Sequence, residues 1–160
     1  MERLDTRLES QGAEFLVVGE LLIRRITAYK TYTNMPGYDV IATNPDRGTA
    51  ARISVKSRWS SSASQFIIKS FKCDFVVVAK LNRGPEVTAP EYFVLPVGVV
   101  RRAPRSRGWN RITFGAIPNF HEYKDRWDQI RKFLRSSRAR KGRGLTIRRA
   151  RTRAKAARAG

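Results

Sequence analysis

A single cysteine, Cys73, and a single histidine, His121, stand in this chain of 160 residues. One thiol excludes an intramolecular disulfide and suits a reducing compartment, so a cytoplasmic protein is expected. One cysteine and one histidine build neither a structural zinc site nor a two-histidine metal centre. That sets aside zinc fingers and most histidine-based nuclease motifs. No apolar run approaches the ~18 residues of a spanning helix, so no membrane span is expected. The opening Met1-Glu2-Arg3-Leu4-Asp5 has no basic start followed by an apolar stretch, unlike a signal peptide. Residues 135–160 hold only Leu145 and Ile147 as large apolar residues, too few for a basic amphipathic helix on a lipid surface. Acidic residues are scarce as well, 13 against 33 Lys and Arg.

What is present is a substantial core and a strong positive field. Hydrophobic residues make up 41% of the chain, enough for one folded domain. The net charge is +20, and it is unevenly spread. Eleven basic and no acidic residues lie in 135–160, which leaves 22 basic against 13 acidic in 1–134. The division predicts a folded domain over 1–134 and a disordered basic tail over 135–160. An isoelectric point near 11.4 fits a polyanionic partner, because each phosphate neutralised by Lys or Arg releases condensed counterions. DNA is the expected partner, with RNA left open. The basic loop residues Arg101, Arg102, Arg105 and Arg107, together with Arg58 and the tail residues Arg148 and Arg149, are the candidate phosphate contacts.

Hydrophobic periodicity predicts a helix from Glu9 to about Ala28, with Ser10 as its N-cap and Phe15, Val18, Leu22 and Ile26 on its apolar side, Val17 and Leu21 beside them. A short Thr/Tyr-rich strand over 28–34 follows, broken by Met35-Pro36-Gly37. Tyr38–Ala42 and Ala50–Arg58 read as a hairpin across Asn44-Pro45-Asp46-Arg47-Gly48. Ser60–Ser64 is a loop, and Phe66–Phe71 fits more than one element. Asp74–Leu81 and Tyr92–Val100 read as buried strands, Ile112–Ile117 as a last short strand, and Tyr123–Leu134 as a helix with Trp127, Ile130 and Leu134 on its core side. The order, without regular βαβ alternation, predicts an α/β domain with a mixed sheet.

Within that frame one constellation carries chemistry. Asp39 begins one hairpin strand, and Ser54-Val55-Lys56 lies on the next. Closure around 44–48 sets Asp39 opposite residues 53–56, at cross-strand distances of about 5 Å. Ser54 and Lys56 share a face because side chains alternate with period two. Phosphodiester hydrolysis with a metal ion needs carboxylates to hold Mg²⁺ and a cation near the developing charge. Glu14 has Val17, Val18 and Leu21 as helical neighbours, and a carboxylate there is costly unless it is paired, snorkelled or metal-bound. Its place near a helix N-terminus offers a purely structural explanation. Asp39 is equally readable as a turn-adjacent aspartate, and Lys56 as an exposed strand lysine.

The runs Ala13-Glu14-Phe15-Leu16-Val17, Gly19-Glu20-Leu21-Leu22, Met35-Pro36-Gly37-Tyr38-Asp39-Val40 and Arg52-Ile53-Ser54-Val55-Lys56-Ser57 together resemble the PD-(D/E)XK nuclease superfamily. The likeness is to its small branch of group I intron homing endonucleases and Holliday-junction resolvases. Cys73-Asp74-Phe75-Val76-Val77-Val78, Glu91-Tyr92-Phe93-Val94-Leu95-Pro96 and the closing helix fit the same branch, so the resemblance covers about residues 9–134. It implies a restriction-endonuclease-like mixed β-sheet flanked by helices, dependence on Mg²⁺ (or Mn²⁺), and cleavage of DNA. By position, Asp39 is the metal-binding aspartate, Lys56 the catalytic lysine, Glu14 the helical acid and Ser54 an auxiliary ligand. Small nucleases of this type often use two protomers to cut both strands, which makes a homodimer an expectation. Ser54 departs from the pattern, which has Glu or Gln there; a neutral, shorter hydroxyl binds Mg²⁺ weakly or through a water. A catalytically weak or inactive nucleic-acid-binding module of the same fold is therefore the alternative reading. A basic RNA- or ribosome-associated protein is a third.

The remaining conspicuous residues have structural explanations. Trp59 and Trp109 adjoin basic residues and are read as packing at the domain's rim in preference to stacking on bases. Trp127 is at core spacing, His121 is a surface or capping residue, Cys73 is a packed thiol, and Asp74 pins the start of its strand.

Overall fold

Ala13, Val17 and Leu21 recur every four residues, and they decide how the first helix sits. In the computed structural model, which describes residues 6–32, 37–106, 108–136 and 140–141, they are the buried stripe of helix α1 (Thr6–Ile23). Phe15 and Leu22, expected on the buried side, lie exposed instead. Residues 15–18 and 21–22 are apolar on two neighbouring helix faces, and the sheet accepts the face with the smaller side chains. Ser10 lies inside the helix, which already runs from Thr6, so it is not the N-cap. The helix stops early, at Ile23, where Arg25 adopts a left-handed φ of 59° and the Ile26 N–H bonds back to the Leu21 carbonyl.

The chain then forms strands β1 (Thr27–Lys30), β2 (Val40–Asn44), β3 (Thr49–Arg58), β4 (Gln65–Ile67), β5 (Phe75–Lys80) and β6 (Glu91–Pro96), helix α2 (Val97–Arg102), strand β7 (Arg111–Thr113), helix α3 (Asp128–Arg135) and the two-residue strand β8 (Arg140–Lys141). The main sheet has the order β1-β2-β3-β5-β6, with β8 paired to the start of β3. It is mixed, since β3 and β5 run parallel while the other neighbours are antiparallel. β4 and β7 make a separate two-stranded ribbon. Among the described residues no helix is long and apolar enough to cross a membrane.

Side-chain alternation on the sheet builds two cores. Val40, Ala42, Ala51, Ile53 and Val77 join α1 and the α3 residues Ile130 and Leu134 on one face. Val76, Val78, Phe93 and Leu95 join Phe66, Ile68 and Ile112 of the ribbon on the other. Asp74 locks β5 to β3: its carboxylate accepts the Arg52 backbone N–H at 2.8 Å and Arg52 Nε at 3.1 Å. Two expectations change in the second half. The strand expected over Tyr92–Val100 ends at Pro96, and Val97–Arg102 turns into α2, with proline's fixed φ of −57° leading in. The helix expected from Tyr123 begins only at Asp128, after a 3-10 turn over Phe120–Tyr123. Past Arg135, β8 belongs to the sheet; Arg148 and Arg149 of the expected tail, like Arg107, lie outside the described residues.

Gly37 brings the segment before β2 against the segment before β5. Its φ is +100°, and a Cβ there would meet Ser70 Oγ at 2.7 Å and Lys72 Cβ at 2.8 Å. Gly37→Ala is therefore expected to destabilise the protein by ~1–3 kcal/mol, from left-handed strain and overpacking together. Urea denaturation of both proteins reads this out, and equal midpoints would show that the 37–39 segment is free to move away.

Candidate active site

The β2–β3 hairpin sets the register that matters. Val40 pairs with Ile53, which places Asp39, just before β2, opposite Ser54. Ile53 and Val55 point to the α1 side, so Ser54, Lys56 and Arg58 point to the other face of the sheet. There Asp39, Ser54 and Lys56 line an open cleft of about 260 Å³, walled also by Tyr38, Ile67 and Lys69. One oxygen of Asp39, Oδ2, accepts the Val55 backbone N–H at 2.7 Å and lies 3.5 Å from Ser54 Oγ. Val55 is past the end of β2, so its N–H has no strand partner on that side and the aspartate takes it. Ser54 is only 4% exposed, so its hydroxyl has little choice of orientation.

Lys56 is the electrostatically distinctive group. Burial pushes its ammonium below the ordinary lysine range; nearby Asp39 and Cys73 push back, and Arg58 and Lys69 add to the lowering. Burial likewise raises the Cys73 thiol to about 11, so it is a packed, protonated thiol. The cleft thus combines an oriented carboxylate, a hydroxyl and a partly desolvated cation, with a second lysine at its rim.

Glu14 is not among the residues lining this cleft. It lies on the α1 side of the sheet, where Lys30 Nζ meets its Oε2 at 3.0 Å; the Lys30 ammonium also stands 4.7 Å from the Phe15 ring. Three of the four expected site residues are therefore together, and the fourth is held by an ion pair. Pairing is the answer to the problem its apolar neighbours posed. No group of three His, Cys, Asp or Glu side chains suited to a metal is found among the described residues.

No protein-family model matches the sequence, and no curated protein matches it. Solved structures do match. A bacterial homing endonuclease, I-Ssp6803I, aligns with a TM-score of 0.57 at 18% identity, over 80% of this chain and 93% of that one. The chain has the fold of a homing endonuclease. The mixed β-sheet flanked by helices expected from the sequence is thereby borne out at the level of fold. A Holliday junction resolvase, Hjc of Archaeoglobus fulgidus, aligns at 19% identity with a TM-score of 0.46, over 69% of this chain and 88% of that one.

On this fold the basic residues fall into distinct settings. Arg101 and Arg105 stand 5.7 and 5.0 Å from the Phe71 ring, next to Ser70 at the cleft's lip. Arg102 lines a different cavity with Val99 and Tyr123. Arg58, expected simply as a phosphate contact, also bonds backbone: Nε donates to the Gln65 carbonyl and Nη1 to Ser57 at 2.9 Å. Trp59 and Trp109 are 51% and 66% exposed, so each keeps much of its ring open to solvent at the domain's rim. Lys69 and Ile67 went unread because only the start of the segment Phe66–Phe71 becomes a strand, β4, and it does so by pairing with β7, more than forty residues away.

Proposed function

We propose that this protein is a metal-dependent endonuclease that hydrolyses phosphodiester bonds in DNA, with Asp39, Ser54 and Lys56 at its centre. The observation that carries the reading is their convergence in one open cleft rimmed by Lys69, on a fold shared with a homing endonuclease. The donor set fits a single hydrated Mg²⁺ better than a pair of ions: one carboxylate with one oxygen already oriented by Val55, a neighbouring hydroxyl, and no second acidic side chain among the described residues that line the cleft. Mg²⁺ keeps several waters and takes one or two carboxylates plus substrate phosphate, and Mn²⁺ accepts the same oxygens. Asp39 and Ser54 would hold it, and the ion would supply Lewis acidity and an activated water. Glu14 stands outside that set while Lys30 engages it.

The chain's own contribution is positional and electrostatic. Asp39 is fixed before any ligand arrives, because Val55 holds one of its oxygens. Lys56, desolvated beside it, faces the place where a phosphate would gain charge, and a cation in a site poor in water acts more strongly there than in solvent. Lys69 and the arginines beyond would grip the flanking backbone without reading bases. Nicking of supercoiled plasmid by the purified chain, with Mg²⁺, Mn²⁺ or EDTA, tests the reading. Metal-independent inactivity with retained DNA affinity would favour the second reading, a binding module of the same fold. The neutral Ser54 where the family pattern carries an acid or amide is the feature on its side.

Ser54→Glu separates these readings further. A second carboxylate beside Asp39 adds an anionic oxygen, so Mg²⁺ affinity measured by calorimetry is expected to tighten by about tenfold, the effect of ~1.4 kcal/mol. Without metal, the two like charges should lower the melting temperature, and Mg²⁺ should restore it. Nicking by the unmodified chain is expected to be faster with Mn²⁺ than with Mg²⁺. Unchanged metal affinity in Ser54→Glu would remove the metal from this cleft.

A further inference from the structure

Beyond Lys56, the exposed-face alternation of β3 continues to Arg58, about 7 Å further along the strand. Arg58 opens into a second cavity of about 440 Å³, next to the cleft and separated from it by Ile67, which lines both. Across β4–β7, Ile67 pairs with Arg111, so the ribbon's outer face carries Arg111 to the same cavity while Phe66 and Ile112 face the core. Ser62 and Ser64 complete its polar wall.

Two guanidinium groups here share a concave site. Arg58 is held in place by its bonds to the Gln65 and Ser57 carbonyls, and its Nη2 has no hydrogen-bond partner among the described residues. Arg111 forms no ion pair or side-chain hydrogen bond with any described residue. Burial lowers the Arg58 guanidinium, Arg111 adds to the lowering, and Glu9 offsets part of it. Like charges gathered in a polar hollow, one of them pre-oriented, are the arrangement an oxyanion relieves, because guanidinium forks match phosphate geometry.

We propose that the cavity between Arg58 and Arg111 is a phosphate subsite, which holds the phosphodiester adjacent to the scissile one on the same nucleic-acid strand. Its adjacency to a scissile phosphate rests on the nuclease reading; its affinity for phosphate does not. The two-residue step from Lys56 to Arg58 is comparable with the spacing of successive phosphates on an extended strand. β3 then acts as a ruler, with one cation per phosphate.

The full chain, free of metal, is titrated with inorganic phosphate while the arginine Nε–Hε resonances are followed by NMR. Saturable shifts of Arg58 and Arg111 are expected, absent with chloride at equal ionic strength. Arg111→Gln should abolish the Arg58 shift. With a single-stranded oligonucleotide in EDTA, Arg111→Gln should weaken binding about tenfold and reduce the salt slope by about one. Lys132→Gln, which removes a charge on α3 that is paired with Asp128, should do neither. Should Arg111→Gln fail to fold, Arg111→Lys keeps the charge and loses the fork, and an intermediate affinity is expected. Phosphate shifts at neither arginine, or equal losses in Arg111→Gln and Lys132→Gln, would overturn the subsite. Neither result touches plasmid nicking at Asp39 and Lys56, so failure of the subsite and failure of the nuclease reading are told apart.

Discussion

Lys56→Ala is expected to lower metal-dependent nicking by about 10²–10³-fold, the usual effect of removing a group that stabilises developing charge in a water-poor site. Affinity for DNA in EDTA should fall far less, since the remaining arginines and Lys69 would, on the proposed reading, still contact phosphate. The fold should persist: Lys56 forms no ion pair with any described residue that would be orphaned, and its removal relieves a cation that burial disfavours. The same burial fixes a pH dependence. In the proposed role Lys56 acts as an ammonium, so activity should be retained below its folded-state pKa and lost as pH rises through it. Because that value lies below the ordinary lysine range, the alkaline limb of the rate profile should fall earlier than for a solvent-exposed lysine. A profile whose alkaline limb is unmoved by Lys56→Arg would take the proton off this residue. Full nicking by Lys56→Ala would remove it from the chemistry.

Asp39 carries two roles that two substitutions pull apart. Asp39→Ala strips the acceptor from the Val55 N–H, so ~1–3 kcal/mol of stability should be lost along with metal affinity and nicking. Asp39→Asn keeps an acceptor at that position and removes only the charge. It should melt close to the unmodified chain, yet bind Mg²⁺ poorly and nick at least about 10²-fold more slowly. Paired melting and calorimetry on the two variants check this. If Asp39→Asn binds metal and nicks normally, the aspartate is a cap for β3 and nothing more.

The hairpin was the most legible part of this chain. Its strands alternate, its turn is marked by Pro45 and Gly48, and a register follows from short-range geometry, so Asp39 opposite Ser54 was within reach of the residues alone. Asp74 as the pin of its strand, Cys73 as a packed thiol, and Trp127, Ile130 and Leu134 as a core stripe were legible for the same local reasons. Val97–Val100 was misread because a run of β-branched residues looks like a strand until Pro96 is seen to launch a helix. The orientation of α1 was misread because two adjacent apolar faces compete, and only the sheet beneath chooses between them.

Local sequence therefore determined the mixed α/β class, the basic character of the chain, and the shared face of Ser54 and Lys56, since periodicity and charge are properties of neighbouring residues. Tertiary structure decided which groups stand together across long separations. It sent Glu14 to Lys30 on the far side of the sheet, because α1 packs on the face opposite Ser54. It brought Lys69 to the cleft and Arg111 to Arg58 by pairing β4 with β7. A cation's partner and its dielectric surroundings depend on what the fold lays over it, and no spacing along the chain encodes that.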